Sequence, residues 1–133
     1  YFIMKYLGID YGSKRIGIAL SDSGGRIALP RATIPNGRDV ASTIARLAEK
    51  EHVVSIVVGD TRTLSGRENR VSKEAEEFVR RASAHTDIPV KRSWEAWSSY
   101  EAARYAPDGL KDDSSAAAII LQRFLDMRGG NAE

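Results

Sequence analysis

Leu7-Gly8-Ile9-Asp10-Tyr11-Gly12-Ser13-Lys14-Arg15-Ile16-Gly17-Ile18-Ala19-Leu20-Ser21-Asp22 is the stretch from which the rest of the chain is read. Two short apolar runs, Tyr6 to Ile9 and Ile16 to Leu20, flank a polar turn, the sequence form of a β-hairpin. Asp10 stands where the first run ends, and Gly12 removes side-chain bulk two residues later. Gly8 and Gly17 fall inside the runs, where glycine weakens a strand and marks close approach by another group. A carboxylate on a rigid strand with little bulk around it suits a metal ion or a facing phosphate. Asp10-Tyr11-Gly12-Ser13 is equally good turn chemistry, and on this stretch alone both readings stay open.

Beyond the hairpin, Ser23-Gly24-Gly25 makes a second tight turn, and Arg26 to Ile34 reads as a third strand. Pro30 is tolerable there only at an edge or a bulge. These three strands form an antiparallel meander. Asp39 to Glu51 is expected as a helix with Val40, Ile44, Leu47 and Ala48 on one face. Val53 to Val58 is β-branched without alternation, as in a strand buried on both faces. A polar loop from Thr61 to about Asn69 leads to a helix reaching about Ala84, striped by Val71, Ala75, Phe78, Val79 and Ala82. A fifth strand starts at Asp87-Ile88-Pro89-Val90 and runs toward Trp94 and Glu95. Ser98 and Glu101 form a capping box for a short helix that Pro107-Asp108-Gly109 ends. Asp112-Asp113-Ser114-Ser115 opens the last helix, Ala116 to about Met127, and residues 129–133 read as a flexible tail. The order predicts an α/β fold: a mixed five-stranded sheet, three strands antiparallel and two parallel, flanked by helices, in one domain over 4–128. Tyr1-Phe2-Ile3 precede Met4 and read as a cloning remnant or a natural extension.

Composition narrows the chemistry. With 133 residues, 42% hydrophobic and 29% charged, the chain is expected to be an ordinary soluble globular domain. There is no cysteine, which excludes disulfides and thiolate metal sites, and His52 and His85 are too far apart for a histidine-rich zinc site. A metal is therefore expected to be a hard cation on oxygen ligands. No apolar run has membrane-spanning length and no secretory signal is recognisable, so the expected location is cytoplasmic, with no membrane partner. The net charge of +2 does not by itself identify nucleic acid as the partner.

Three acidic residues fall at comparable places in this layout: Asp10 at the end of the first strand, Glu95 past the last, and Asp113 in the first turn of the final helix. Ligands of open α/β sheets bind at the carboxyl ends of parallel strands, so the three can converge there. Convergent carboxylates repel unless cations intervene, and one or two Mg²⁺ or Mn²⁺ ions satisfy them. Such a site suits in-line displacement at phosphorus. Each residue also has a plain structural reading. Asp113 complements the helix dipole, Asp112 competes with it for the ligand role, and Glu95 between Trp94 and Trp97 is an ordinary exposed acid.

The segment Gly8 to Ala19 is very similar to the Gly-Ile-Asp-x-Gly-x-x-Arg-Ile-Gly-Ile-Ala opening of the YqgF/RuvX family of bacterial proteins, described as Holliday junction resolvases or pre-16S rRNA processing nucleases. Asp113, Ala116-Ala117 and Ile120-Leu121-Gln122 resemble that family's final helix, and Val57-Val58-Gly59 with Ser65-Gly66 its fourth strand and loop. The resemblance runs from Leu7 to Asp126 and implies an RNase H-like fold with Asp10, Glu95 and Asp113 as catalytic metal ligands. It also implies that Lys14 and Arg15 steady a phosphate while Arg62, Arg67, Arg70 and Lys73 track a nucleic-acid backbone. Trp94, Trp97 and Tyr11 are candidates for stacking on unpaired bases, with packing as the alternative for the tryptophans. The family's Asp-Glu-Arg stands here as Trp94-Glu95-Ala96, which removes the Asp and the Arg beside Glu95, and its Gly-Leu-Pro as Gly59-Asp60-Thr61, in which Asp60 adds a negative charge.

The leading expectation is a metal-dependent nuclease acting on the 5′ end of pre-16S rRNA, as a monomer or weak homodimer. Junction resolution comes second, since two symmetric cuts need a dimer. A non-catalytic RNA-binding ribosome-assembly factor is the third reading, kept open by the changes around Glu95. A nucleotide-dependent kinase of the actin and sugar-kinase type shares the Asp-x-Gly turn but needs two such domains, and the length allows one.

Overall fold

The computed structural model describes residues 3–59, 70–92 and 113–131. Its strands are β1 (Tyr6–Tyr11), β2 (Arg15–Ser21), β3 (Ala28–Pro35), β4 (Ser55–Gly59) and β5 (Val90–Arg92). Its helices are α1 (Val40–Lys50), α2 (Arg70–Ser83) and α3 (Asp113–Asn131). The sheet runs β3-β2-β1-β4-β5. β1 is antiparallel to β2, and β2 to β3, while β1–β4 and β4–β5 pair in parallel. The expected meander plus two parallel strands is the observed sheet.

The period of two along each strand sorts the core into two layers. Leu7, Ile9 and Tyr11 of β1, Ile16, Ile18 and Leu20 of β2, and Ile56 and Val58 of β4 face α1 and α2, where they meet Ile44, Ala48, Ala75 and Phe78. Tyr6, Ala19 and Val57 face the other way, onto Ala117, Ile120, Leu121 and Leu125 of α3. All six residues of β1 are buried, as a central strand covered on both faces must be.

Small residues decide how closely α3 lies on its layer. A β-carbon at Gly8 would sit 2.7 Å from Leu121 Cβ and 3.2 Å from the Ala117 carbonyl oxygen. One at Gly17 would overlap the Asp113 backbone and stand 3.0 Å from Asp113 Cβ. The two hairpin glycines that weaken their strands are therefore the floor on which α3 rests.

Pro30 is accommodated in both of the ways expected. β3 is an edge strand, and the register slips between Ile18, paired with Ala32, and Ala19, paired with Pro30. The bulge leaves Arg31 outside the ladder. α1 ends in a Schellman arrangement, with Val53 N–H donating to the Ala48 carbonyl and His52 N–H to that of Glu49. His52 occupies the left-handed position (φ 58°) that glycine usually takes.

Some boundaries differ from the sequence reading. The fourth strand starts at Ser55 because Val54, 37% exposed, lies outside the sheet. α3 begins at Asp113 and continues through Gly129 and Gly130 to Asn131, beyond the expected stop near Met127. Gln122 holds the helix to the start of β3, accepting from Ala28 N–H at 2.9 Å and donating to the Arg26 carbonyl at 2.8 Å. Further along α3, Arg128 donates to the Gly25 carbonyl. The short helix expected after Ser98 lies outside the described residues.

Candidate active site

Asp10 is the fifth residue of β1 and shares the α3-facing parity of Tyr6 and Gly8. It is paired with Gly17 on β2 and with Gly59 on β4, so the strand positions on either side of it carry no side chain. Asp10 is only 2% exposed, and it is not without a polar partner. An ionised carboxylate at that depth is costly unless it is paired or meets a cation.

α3 supplies the second carboxylate. Its first residue, Asp113, has its backbone directly over Gly17, the cross-strand neighbour of Asp10. Adding the ordinary cross-strand spacing of about 4.5–5.5 Å puts the β-carbons of Asp10 and Asp113 within roughly 8.5 Å of each other. Gly17 therefore has a role beyond the hairpin: only its missing side chain lets the start of α3 reach the site. A β-carbon at Gly59 would meet Ile120 Cγ2 at 2.8 Å, which shows how near α3 also comes on the β4 side.

The structure adds a link that the sequence did not disclose. Arg15 Nε donates to Asp113 Oδ2 at 2.8 Å, across 98 residues of sequence. That hydrogen bond, and then the charge of Asp113, push the Arg15 pKa further above its ordinary value. Arg15 was expected on a phosphate; in the structure it holds a candidate metal ligand. The signal was available only in combination, since Arg15 and Gly17 share a strand face and Gly17 marks where another element approaches.

The other candidates are placed as follows. Lys14 is exposed in the β1–β2 turn. Lys73 is exposed on α2, which packs with α1 on the face opposite α3, so it is not brought beside Asp10. Arg70 opens α2, but its side chain lies outside the described residues, as do Glu95, Arg62, Arg67, Asp112, Trp94 and Trp97. Tyr11 corrects the sequence reading. It is 6% exposed with its ring centroid 5.4 Å from that of Phe78, so it is a core residue and cannot stack on a base.

Among the described residues no group of three or more His, Cys, Asp or Glu is placed to hold a metal ion. Asp10 and Asp113 are the two members of the expected triad that fall within them. Two oxygen-donor carboxylates brought to one place, with no sulfur or imidazole nearby, fit a hard divalent cation better than zinc or copper. No helix among the described residues is long and apolar enough to cross a membrane.

Comparison with known proteins gives a consistent result. The model of the RuvX family, described as Holliday junction resolvase, matches residues 4–127. A protein of Nitratidesulfovibrio vulgaris named "Putative pre-16S rRNA nuclease" is 40% identical, over 93% of this chain and 94% of its own length. A Synechocystis protein of the same name is 36% identical, over 92% of this chain and 87% of its own. Among solved structures, Thermus thermophilus RuvC in complex with a Holliday junction substrate superposes with a TM-score of 0.58 at 13% identity, covering 96% of both chains. A second RuvC structure from that organism gives 0.55 at 16% identity, covering 96% of this chain and 97% of that one. At those identities the likeness concerns the fold, which is RNase H-like.

Proposed function

Because this chain belongs to the RuvX family, we propose that it is a metal-dependent nuclease that hydrolyses phosphodiester bonds in structured nucleic acid, with the 5′ end of pre-16S rRNA as its substrate. The observation that carries the reading is the buried Asp10 at the end of the central strand, with the α3 N-terminus and Asp113 drawn against its glycine neighbour. Glu95 is the third ligand in this reading. It follows Arg92, the last residue of β5, by three positions, and β5 runs parallel to β4 and so to β1.

Asp10, Asp113 and Glu95 would hold one or two Mg²⁺ or Mn²⁺ ions. When bound, such ions supply Lewis-acid activation of the attacking water and neutralise charge on the leaving oxygen. The protein's own part is positional. β1 fixes Asp10, α3 resting on Gly8 and Gly17 fixes Asp113, and the packed sheet gives both a rigid base. Lys14, Arg15, Arg62, Arg67, Arg70 and Lys73 are assigned to the nucleic-acid backbone, where contacts give affinity without sequence readout. The reading places the protein in the cytoplasm with its RNA.

The name of the family model favours a second reading, resolution of four-way DNA junctions. The two differ in what they demand: a single cut in RNA needs one copy, and paired symmetric cuts need two. The test is cleavage, by wild type and Asp10→Asn, of a labelled RNA spanning the 5′ end of 16S rRNA and of a labelled four-way junction, with sedimentation of the same preparation. Asp10-dependent cleavage of the RNA by a monomer supports the proposal. Cleavage of the junction alone, by a dimer, replaces it with the second reading. Salt-sensitive binding of the RNA, unchanged in Asp10→Asn and without cleavage of either substrate, would make the protein a non-catalytic RNA-binding factor.

A further inference from the structure

Arg15 is the first residue of β2 and stands on the same face as Gly17, toward α3. The two ends of its ion pair with Asp113 are unequally placed. The Asp113 side chain is 15% exposed, whereas that of Arg15 is 60% exposed. A pair with one partner so exposed contributes little to stability, so the guanidinium is easily released. The carboxylate, anchored in the first turn of α3 against Gly17, stays where it is.

What holds Arg15 there is the negative charge of Asp113. A divalent cation held by Asp10 and Asp113 would neutralise that charge and repel the guanidinium. Arg15 would then carry a free planar fork of N–H donors beside the same cation, in the geometry that suits a phosphate. The hairpin's other carboxylate on this face, Asp10, would be engaged by the same ion and so offers no substitute. Lys14 is cationic, and Arg15 is paired across the sheet with Pro35.

We propose that Arg15 is a cation-dependent phosphate contact: it pairs with Asp113 when the site holds no ion and transfers to a nucleic-acid phosphate when a divalent ion occupies Asp10 and Asp113. This rests on the proposed nuclease reading of the site. It makes ion binding and nucleic-acid binding mutually reinforcing, since each removes the partner that opposes the other.

The test is fluorescence anisotropy with a labelled RNA hairpin carrying a single-stranded 5′ extension, in EDTA and in Ca²⁺ at constant ionic strength. Wild type, Arg15→Gln, Arg15→Lys and Asp113→Asn are compared, with circular dichroism confirming that each is folded. The gain in affinity on adding Ca²⁺ is expected to be at least about threefold larger for wild type than for Arg15→Gln, with Arg15→Lys between them. In EDTA, Asp113→Asn should bind more tightly than wild type, with a salt slope steeper by about 0.7–0.9, the mark of one more phosphate contact. Equal gains in wild type and Arg15→Gln would overturn the proposal. A calorimetric Mn²⁺ titration separates the two levels. Equal gains together with Mn²⁺ binding that Asp10→Asn abolishes would refute the exchange of Arg15 while leaving the site intact. Absence of Mn²⁺ binding to wild type would remove the site and the exchange together.

Discussion

Replacing Gly17 by alanine puts the role of the hairpin glycines to a quantitative test. The added β-carbon would overlap the Asp113 carbonyl group and lie 3.0 Å from Asp113 Cβ. The opposing atoms are backbone at the start of a helix, so they cannot rotate away as a side-chain end does. Overpacking of this kind costs about 1–3 kcal/mol, and the rigid neighbour puts Gly17→Ala at the upper end. Loss of unfolded-chain entropy returns about 0.4–1 kcal/mol. The net expectation is destabilisation by about 2–2.6 kcal/mol, or a melting temperature lower by roughly 7–9 °C for a chain of this size. Gly8→Ala, facing Leu121 Cβ at 2.7 Å, should cost about 1–2 kcal/mol. For Gly59→Ala the nearest atoms are those of the Ile120 side chain, which can shift, so the cost should be less than about 1 kcal/mol. Urea unfolding of the three variants, with m-values compared, gives the ranking directly. If Gly17→Ala fell within about 0.5 kcal/mol of wild type, α3 would not rest on β2 as described, and the placement of Asp113 beside Asp10 would fall with it.

Three further outcomes are expected. His52→Gly should stabilise the protein by about 1 kcal/mol, measured by urea unfolding, because it relieves the left-handed backbone at the end of α1. Asp22 accepts hydrogen bonds from the backbone N–H groups of Ile27 and Arg26, which hold its carboxyl below the usual range. With its pKa depressed in the fold, its contribution is complete above the unfolded value of about 3.9 and is lost as the pH falls through that value toward the folded one. Between pH 5 and pH 2 in urea titrations, wild type should therefore lose more stability than Asp22→Asn. Glu51 bridges Lys5 at 2.9 Å and Arg31 at 3.1 Å. Glu51→Gln should cost about 1 kcal/mol in dilute buffer, and the loss should shrink in 1 M salt if the bridge is electrostatic.

Much of the fold could be read from the sequence because its signals are local. The hairpin runs, the β-branched run before Gly59 and the helical stripes each specify an element on their own. Pro30 called for an edge or a bulge, and its strand has both. The site was harder, because its features arise only when distant segments meet. Asp10 was conspicuous at the end of a strand, but its face of the sheet is covered by a helix that starts more than a hundred residues further along the chain. The pairing of Arg15 with Asp113 depends on the register that sets Gly17 under α3, and no spacing along the chain encodes it. Tyr11 was misread for the related reason that parity along β1, which turns it toward Phe78, becomes visible only once the second layer is in place. α3 runs past Met127 because tertiary contacts outweigh its glycines: Gln122 and Arg128 tie it to the β2–β3 connection.

The central claim is that Asp10 and Asp113 together hold a divalent ion on the end of the central sheet. Anomalous scattering from a crystal grown with Mn²⁺ tests it most directly. The account predicts a peak between the two carboxylates, absent from Asp10→Asn crystals grown in the same solution. A peak bound elsewhere, with Asp10 and Asp113 both out of contact with it, would contradict the account.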